Sequence, residues 1–122
     1  DWFKSINDRF GHDVGDEVLR RIASLISAAS RAGDVITRYG GDEFVVLLGE
    51  ATDVEAYCER VRRSVAGYAW ETLRPGLHVT VTVGGVQAGP RAMTRAEAAL
   101  RQAKRARVPG PSRGPDAREW TA

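Results

Sequence analysis

The spacing of apolar residues along the chain predicts its first elements. Residues 1–14 mix aromatic and polar positions without clean periodicity, which indicates a short helical turn and a loop. From Gly15 apolar residues recur on one face of a helix, with Asp16 as the expected N-cap and Gly33 as the stop signal. Two apolar segments around a glycine pair then predict a β-hairpin over residues 35–48.

The second half of the chain contains a helix, a strand and another helix. Thr52 and Glu55 have the spacing of a capping box, which predicts a helix over residues 52–66. Alternating apolar and polar residues over 77–83 predict a half-buried strand that ends at Gly84-Gly85. A further capping box at Thr94 begins the last predicted helix.

The predicted order of elements is α, β, β, α, β, α. One more strand before the first helix would make it βαββαβ, a ferredoxin-like α+β fold with helices on one face of an antiparallel sheet. In that topology the first strand is central, and most of it is expected to lie outside this chain. We therefore expect a domain over residues 1–107 that lacks its first strand, followed by a Pro/Gly-rich disordered tail over 108–122.

Composition narrows the class of protein. At 122 residues, with 43% apolar and 28% charged residues, the chain is typical of one globular domain. A net charge of +2 provides no argument for binding a nucleic-acid polymer. The single cysteine, Cys58, fits a reducing compartment, and the longest apolar run, Phe44 to Leu48, is too short to cross a bilayer. We expect a cytoplasmic domain, which is compatible with a membrane anchor upstream in a longer parent.

The hairpin turn has two possible interpretations. Gly40 and Gly41 would enter positive φ without steric cost and let a phosphate-bearing ligand approach the backbone. Asp42 and Glu43, expected on opposite faces, could hold a hard cation through oxygen. Alternatively, the turn is simply acidic and exposed, as many hairpin tips are.

Several motifs that follow one another along the chain favour the ligand-binding interpretation of the turn. The chain contains Phe3-Lys4 with Ile6-Asn7-Asp8, then Gly11-His12, Gly15-Asp16-Glu17-Val18-Leu19 and Arg38-Tyr39-Gly40-Gly41-Asp42-Glu43-Phe44. This series resembles the GGDEF domain family of bacterial diguanylate cyclases, whose pattern reads FKxIND, GHxxGDxxL and RYGGDEF. The resemblance extends from residue 1 to about residue 106, because the last helix is also similar to that of the family.

The resemblance implies a nucleotidyltransferase on a palm-like fold. Family members condense two GTP into cyclic di-GMP with release of pyrophosphate, as homodimers with one GTP per subunit. It implies that Asp42 and Glu43 are catalytic acids and ligands of Mg²⁺ or Mn²⁺, and that Gly40 and Gly41 pack against the nucleotide.

The resemblance also assigns contacts to the substrate. Asn7 and Asp16 match the positions that hydrogen-bond guanine, while Lys4 and Lys104 match positions that contact phosphates. Two structural alternatives remain open: Asp16 as a helix cap and Asn7 as a turn-stabilising side chain.

A second site is implied by Arg31 and Asp34, which match the RxxD of the family's product-inhibition site, and by Arg60, which aligns with its secondary arginine. These residues would grip cyclic di-GMP through guanidinium groups. A solvated ion pair between Arg31 and Asp34 is the alternative.

The intact GGDEF turn favours a cyclase, but departures from the family pattern leave room for a second hypothesis. Asp1 corresponds to the second aspartate of the family's Asp-x-Asp, so the first metal carboxylate is expected upstream, in a parent that also carries a sensory or regulatory domain. Arg101 and Val108 replace a tyrosine and an arginine of the family's last helix. The first hypothesis is a cyclase that is inactive as this truncated chain. The alternative is a degenerate module that binds cyclic di-GMP or GTP as a sensor without catalysis.

Overall fold

A computed structural model describes residues 2–49, 52–106, 112–113 and 119–121, with side chains for residues 3–49, 52–98 and 101. The helices are α1 (Trp2–Phe10), α2 (His12–Ala29), α3 (Val54–Gly67) and α4 (Ala92–Ala106), with a 3-10 turn at Trp70–Thr72. The strands are β1 (Val35–Arg38), β2 (Glu43–Leu48), β3 (Thr82–Gln87), β4 (Ser112–Arg113) and β5 (Glu119–Thr121). The α+β class expected from the sequence is confirmed.

The first 14 residues contain more helix than their sequence predicted. α1 covers nine residues, and α2 already begins at His12, so Asp16 lies in the second turn of α2 and is not its N-cap. The N-cap is Gly11, whose φ of 96° breaks the chain direction between the two helices without a side-chain cap. α2 ends at Ala29, where Ser30 caps it, and Gly33 lies in the following turn.

The predicted hairpin is confirmed. β1 and β2 pair antiparallel, with Val35 opposite Leu47 and Arg38 opposite Phe44. The expected positive φ at the glycine pair is wrong, because neither Gly40 nor Gly41 is among the described glycines with positive φ. Space favours glycine at position 40, because a Cβ there would lie 3.0 Å from a carboxylate oxygen of Glu43.

The sheet is mixed, whereas the sequence predicted an antiparallel one. Its strand order is β1-β2-β3-β5-β4, and β2 pairs with β3 in parallel, from Glu43 opposite Thr82 to Leu48 opposite Gln87. In a split βαβ arrangement these two strands flank the first strand of the fold. Among the described residues no strand lies between them, so they hydrogen-bond to each other directly.

The third strand lies further along the chain than expected. β3 begins at Thr82 and continues through Gly84 and Gly85, which were predicted to end it. Glycine is needed at position 85, since a Cβ on Gly85 would lie 2.7 Å from Cys58 Sγ on α3. Residues 77–81 precede the strand, yet their alternation is still visible in the burial of Leu77 and Val79. A turn precedes them, with Gly76 at a φ of 81°.

Both capping boxes were misplaced. Asp53 is the N-cap of α3 and accepts a hydrogen bond from the amide of Ala56, so the helix starts at Val54 and ends at Gly67. α4 starts at Ala92, two residues before Thr94. The helices themselves were correctly predicted.

The end of the chain differs from the expected disordered tail. β5 pairs antiparallel with β3, and β4 pairs antiparallel with β5. Residues 107–111 and 114–118, with Ala122, lie outside the described part of the chain, and the domain boundary at 107 remains a prediction.

Two apolar cores hold helices to both faces of the sheet, whereas one face was expected. The larger core joins α2 and α3 to alternate residues of β2, including Phe44, Val46 and Leu48. The smaller core uses the opposite face of β2, where Val45 packs with Ala92 and Ala96 of α4. β2 is therefore buried on both sides, which fixes the base of the hairpin turn.

Candidate functional site

Arg38 anchors the hairpin turn to α1. Its Nε donates to the carbonyl oxygen of Gly40 at 2.9 Å, and its Nη2 donates to that of Gly41 at 3.5 Å. The same guanidinium lies 4.8 Å from the centre of the Phe3 ring, a cation–π contact. One side chain thus holds both glycine carbonyls and connects the turn to the first helix.

The two acids of the turn lie where β1, β2 and β3 meet. The carbonyl oxygen of Glu43 accepts hydrogen bonds from the amides of Tyr39, at 2.8 Å, and Gly40, at 3.4 Å. A Cβ on Gly40 would lie 3.0 Å from a carboxylate oxygen of Glu43, so glycine leaves room for that carboxylate. The carbonyl of Asp42 accepts from the amide of Thr82 at 3.0 Å, which fixes the turn to β3.

Tyr39 connects the turn to the last helix. Its hydroxyl donates to a carboxylate oxygen of Glu97, on α4, at 2.7 Å. This hydrogen bond is the main cause that raises the pKa of the Tyr39 hydroxyl above 10.0. Lys104 lies on the same helix, but its side chain is outside the described residues, so its proposed phosphate contact stays a prediction.

Asn7 of α1 lies against Gly15 of α2. A Cβ on Gly15 would lie 1.8 Å from Asn7 Oδ1 and 3.3 Å from the ring of Phe3, so only glycine permits this approach. Asn7 Oδ1 is buried and has no hydrogen-bond partner within the described structure. A buried acceptor without a partner is costly, which is consistent with a ligand that donates to it. The exposed Asp16, also expected at guanine, follows Gly15 directly in the chain.

The structure therefore brings several of the predicted site residues to one region. Asn7 and Phe3 lie against Gly15, the residue before Asp16; Phe3 also contacts Arg38, and Arg38 holds the glycine turn that precedes Asp42. The exposed Lys4 precedes Asn7 by one turn of α1. Arg38, Tyr39 and Glu97 were not singled out from the sequence as site residues, although Arg38 and Tyr39 belong to the motif that was.

The hairpin turn would bind a divalent cation only together with further ligands, such as water and substrate phosphates. Among the described residues, no group of three or more His, Cys, Asp or Glu side chains is placed to hold a metal ion. Mg²⁺ is commonly bound by one or two carboxylates, with water and substrate phosphates completing its shell. The oxygen donors of Asp42 and Glu43 fit that mode of binding.

One small cavity lies elsewhere. It has a volume of about 150 Å³ beside the start of α2 and is lined by Asp13, Val14, Glu17, Leu73 and Arg74. None of the predicted site residues lines this cavity.

Arg31 and Asp34 form a compact turn between α2 and β1. The Asp34 carboxylate accepts from the amide of Arg31 at 2.8 Å and from the amide of Gly49 at 3.3 Å. The amide of Asp34 donates in turn to the carbonyl of Arg31 at 3.1 Å. The alternative of an ion pair between the two side chains is not found among the described salt bridges, so the exposed Arg31 guanidinium is available for a ligand.

Arg60 lies near this turn through Tyr57. Its guanidinium carbon is 5.8 Å from the centre of the Tyr57 ring, and the Tyr57 hydroxyl is 2.7 Å from the hydroxyl of Ser30. Burial chiefly raises the pKa of Tyr57, while the charge of Asp34 raises it further and that of Arg60 lowers it. Both charges therefore act on the same hydroxyl. Neither Tyr57 nor Ser30 was singled out from the sequence as a site residue.

Comparison with known proteins identifies the family. Residues 1–108 match the family described as "Diguanylate cyclase, GGDEF domain". The chain belongs to the GGDEF domain family. The resemblance seen in the motifs is thereby confirmed. Within the described helices of this GGDEF domain, none has the length and apolar character that a membrane crossing requires.

Relatives of this GGDEF domain are longer proteins. The response regulator PleD of Caulobacter vibrioides is 44% identical over 88 residues, which are 69% of this chain and 19% of PleD. The diguanylate cyclase DgcP of Pseudomonas aeruginosa is 43% identical over 114 residues, which are 87% of this chain and 17% of DgcP. The GGDEF domain thus spans about a fifth of these proteins.

A solved structure has a similar fold. The GGDEF domain of DgcB from Caulobacter crescentus, in complex with c-di-GMP, superposes with a TM-score of 0.58 at 29% sequence identity. The match covers 87% of this chain and 68% of the DgcB chain. The palm-like arrangement expected from the sequence is supported by this likeness.

Proposed function

We propose that this GGDEF domain condenses two GTP into cyclic di-GMP, with release of two pyrophosphates, as the output domain of a longer protein. The observation that carries the proposal is the buried Asn7 Oδ1 without a partner, beside Gly15 and next to Asp16. Guanine presents adjacent N–H donors on one edge, from which the amide oxygen of Asn7 and the carboxylate of Asp16 would accept hydrogen bonds. Adenine does not present this pair of donors.

The remaining predicted residues would bind the triphosphate. Lys4 and Lys104 supply cations for phosphate oxygens, and Gly40 and Gly41 let the nucleotide approach the turn. Arg38 supports this approach by holding both glycine carbonyls. Asp42 and Glu43 would hold Mg²⁺ or Mn²⁺ together with the phosphates, and the metal would neutralise charge on the phosphates and on the departing pyrophosphate.

The reaction needs positioning more than covalent help from the protein. In each half-reaction the 3′-hydroxyl of one GTP forms a bond to the α-phosphorus of the other, and the bond from that phosphorus to the pyrophosphate oxygen breaks. The hydroxyl proton leaves to a base, for which Glu43 is the candidate. Because each subunit binds one GTP, a homodimer presents the two nucleotides to each other.

Proposed partners follow from the relatives. PleD is named a response regulator and is about five times as long as its matching segment, which supports a regulatory domain elsewhere in the parent of this chain. GTP and cyclic di-GMP are the proposed small-molecule partners. A cytoplasmic location is proposed because Cys58 is a buried free thiol that fits a reducing compartment.

A second candidate function is a sensor. The Asp34 carboxylate holds the turn after α2 through the amides of Arg31 and Gly49, which supports a binding site for cyclic di-GMP. Such a site would serve a sensor whether or not the domain turns over GTP. The two candidates differ in turnover and share the product site.

The test is pyrophosphate release from GTP and Mg²⁺ by the full-length parent protein. We expect turnover in the wild type and a loss of at least about a hundredfold in Asp42→Asn, which keeps the shape of the side chain and removes its charge. Asp13→Asn, at an exposed aspartate outside the site, is the matched control and should retain activity. A wild type that binds cyclic di-GMP but shows no turnover would refute the cyclase and support the sensor.

A further inference from the structure

The hydroxyl groups of Ser30 and Tyr57 connect the end of α2 to α3. Ser30 Oγ donates to the carbonyl oxygen of Ile26 at 2.7 Å and lies 2.7 Å from the Tyr57 hydroxyl oxygen. A serine hydroxyl has one hydrogen, and Ser30 uses it in the hydrogen bond to the Ile26 carbonyl. Tyr57 is therefore the donor in the second bond, and the bond has a fixed direction from α3 to α2.

This connection lies between the two arginines of the proposed product site. Arg31 follows Ser30 directly in the chain, and Arg60 follows Tyr57 by one helical turn. The guanidinium of Arg60 lies over the Tyr57 ring, at 5.8 Å from its centre. Tyr57 is only 1% exposed, so its ring is a fixed platform for the longer and more mobile arginine.

The backbone of Arg31 is held by a residue of the same turn, Asp34. The Asp34 carboxylate holds the amide of Arg31 and, through Gly49, the end of β2. The two arginines therefore belong to different elements, α3 and the turn after α2. Among the described side-chain hydrogen bonds given above, the one that joins these elements is the bond from Tyr57 to Ser30.

We propose that Tyr57 is a positioning residue for binding of cyclic di-GMP, which sets the spacing of Arg31 and Arg60 through its hydrogen bond to Ser30. The inference rests on the proposed product site and names the residues that pre-organise it. Cyclic di-GMP carries two phosphate charges on a small ring. Two guanidinium groups held at a set distance therefore bind it more tightly than two mobile ones. Pre-organisation raises affinity because less side-chain freedom is lost on binding.

The experiment measures the dissociation constant of cyclic di-GMP with this chain by calorimetry. Tyr57→Phe keeps the buried ring and removes the hydroxyl, and Ser30→Ala removes the acceptor. We expect each to weaken binding by about fivefold to tenfold, the size of one lost hydrogen bond. Ser30→Thr keeps the hydroxyl and should stay within about twofold of the wild type, as a rescue by a conservative change.

Two controls separate positioning from stability. Tyr68→Phe changes a phenol whose ring packs on Trp70, away from Arg60, and should leave affinity unchanged. Arg60→Ala should weaken binding, while Arg63→Ala, which breaks only an exposed ion pair with Glu59, should not. Thermal melting of every variant is recorded, because a purely structural role would lower the melting temperature of Tyr57→Phe without changing affinity.

The outcomes are distinguishable. If Arg60→Ala weakens binding but Tyr57→Phe binds as the wild type does, the role of Tyr57 is refuted and the product site stands. If the wild type itself does not bind cyclic di-GMP, the product site is refuted, and this inference with it. The cyclase activity is decided separately, by pyrophosphate release.

Discussion

Single glycines decide how closely the elements of the candidate site approach one another. Gly15 lets the Asn7 side chain of α1 lie against the backbone of α2, and Gly40 leaves space for the Glu43 carboxylate. Neither position has a positive φ. The constraint on both is the volume of a methyl group, which backbone preferences do not reveal.

Gly15→Ala is expected to lower both stability and nucleotide affinity. A helical alanine is normally favoured over glycine by about 0.5–1 kcal/mol. Here the new Cβ would lie 1.8 Å from Asn7 Oδ1, so Asn7 must move, at a cost of about 1–3 kcal/mol in the free energy of unfolding. Urea unfolding and GTP binding by the same variant measure the two effects.

Gly67→Ala is the matched control, since a Cβ there would meet no atom within 4 Å. It should leave stability unchanged or raise it slightly. Equal stability of the two variants would show that Asn7 does not lie against Gly15.

Glu59 makes stability depend on pH in acid. The hydrogen bond from Arg62 is the main cause that lowers the pKa of Glu59 to about 2 from its ordinary 4.5, and Arg63 contributes further. A carboxylate with a lowered pKa stabilises the fold above its unfolded pKa. That contribution is lost as pH falls from about 4.5 through about 2.

The check is the unfolding midpoint of the wild type and Glu59→Gln between pH 7 and pH 2. The wild type should be the more stable at pH 7, and the difference should vanish near pH 2. High salt should shrink it at pH 7, because the pair is exposed to solvent. A difference that is independent of pH would show that the charge of Glu59 does not matter.

At the scale of elements, the sequence predicted which helices exist better than where they begin. Thr52 and Asp53 are both good cap residues, and the choice depends on which one has extended backbone at the helix start. Asp53, at φ −74° and ψ 103°, is that residue, while the carbonyl of Thr52 accepts from Gln87. The hydrogen bond from Gln87 of β3 to Thr52 is thus a tertiary contact that favours Asp53 over Thr52 as the N-cap.

Asp53→Ala should lower the free energy of unfolding by about 1 kcal/mol, because the amide of Ala56 loses its acceptor. Thr52→Ala, one residue earlier, should cost less than about 0.5 kcal/mol, since its carbonyl is unchanged. Chemical denaturation of the two variants compares them directly. A larger loss in Thr52→Ala would assign the cap to Thr52.

At the scale of the molecule, α3 packs on β3 so closely that Cys58 is fully buried. Its exposed fraction is 0%, and burial raises the pKa of the thiol to about 12. Gly85 provides the space for this contact on the strand side. The thiol can therefore react only when α3 separates from the sheet.

Modification of Cys58 by a thiol reagent at pH 8 should be slower in the native protein than in urea by a factor of roughly a thousand or more. The chain has a single cysteine, so the total signal reports this thiol alone. Rapid native labelling without loss of structure would show that the contact between α3 and β3 opens locally.

The sequence by itself determined the hairpin, the three longer helices, the α+β class and the family, because apolar periodicity and an ordered series of motifs are local properties of the chain. For residues 1–14 it predicted only a short helical turn, whereas α1 covers nine residues. It also placed the cap of α2 at Asp16, the third strand too early and the end of the chain in a disordered tail.

Only the tertiary structure decided which strands are neighbours and which side chains meet. Four contacts join different elements of the fold: the parallel pairing of β2 with β3, the approach of Asn7 to Gly15, the contact of Arg38 with the Phe3 ring and the bond from Tyr57 to Ser30. Such contacts depend on how whole elements pack. Local pattern carries no information on the space left between them.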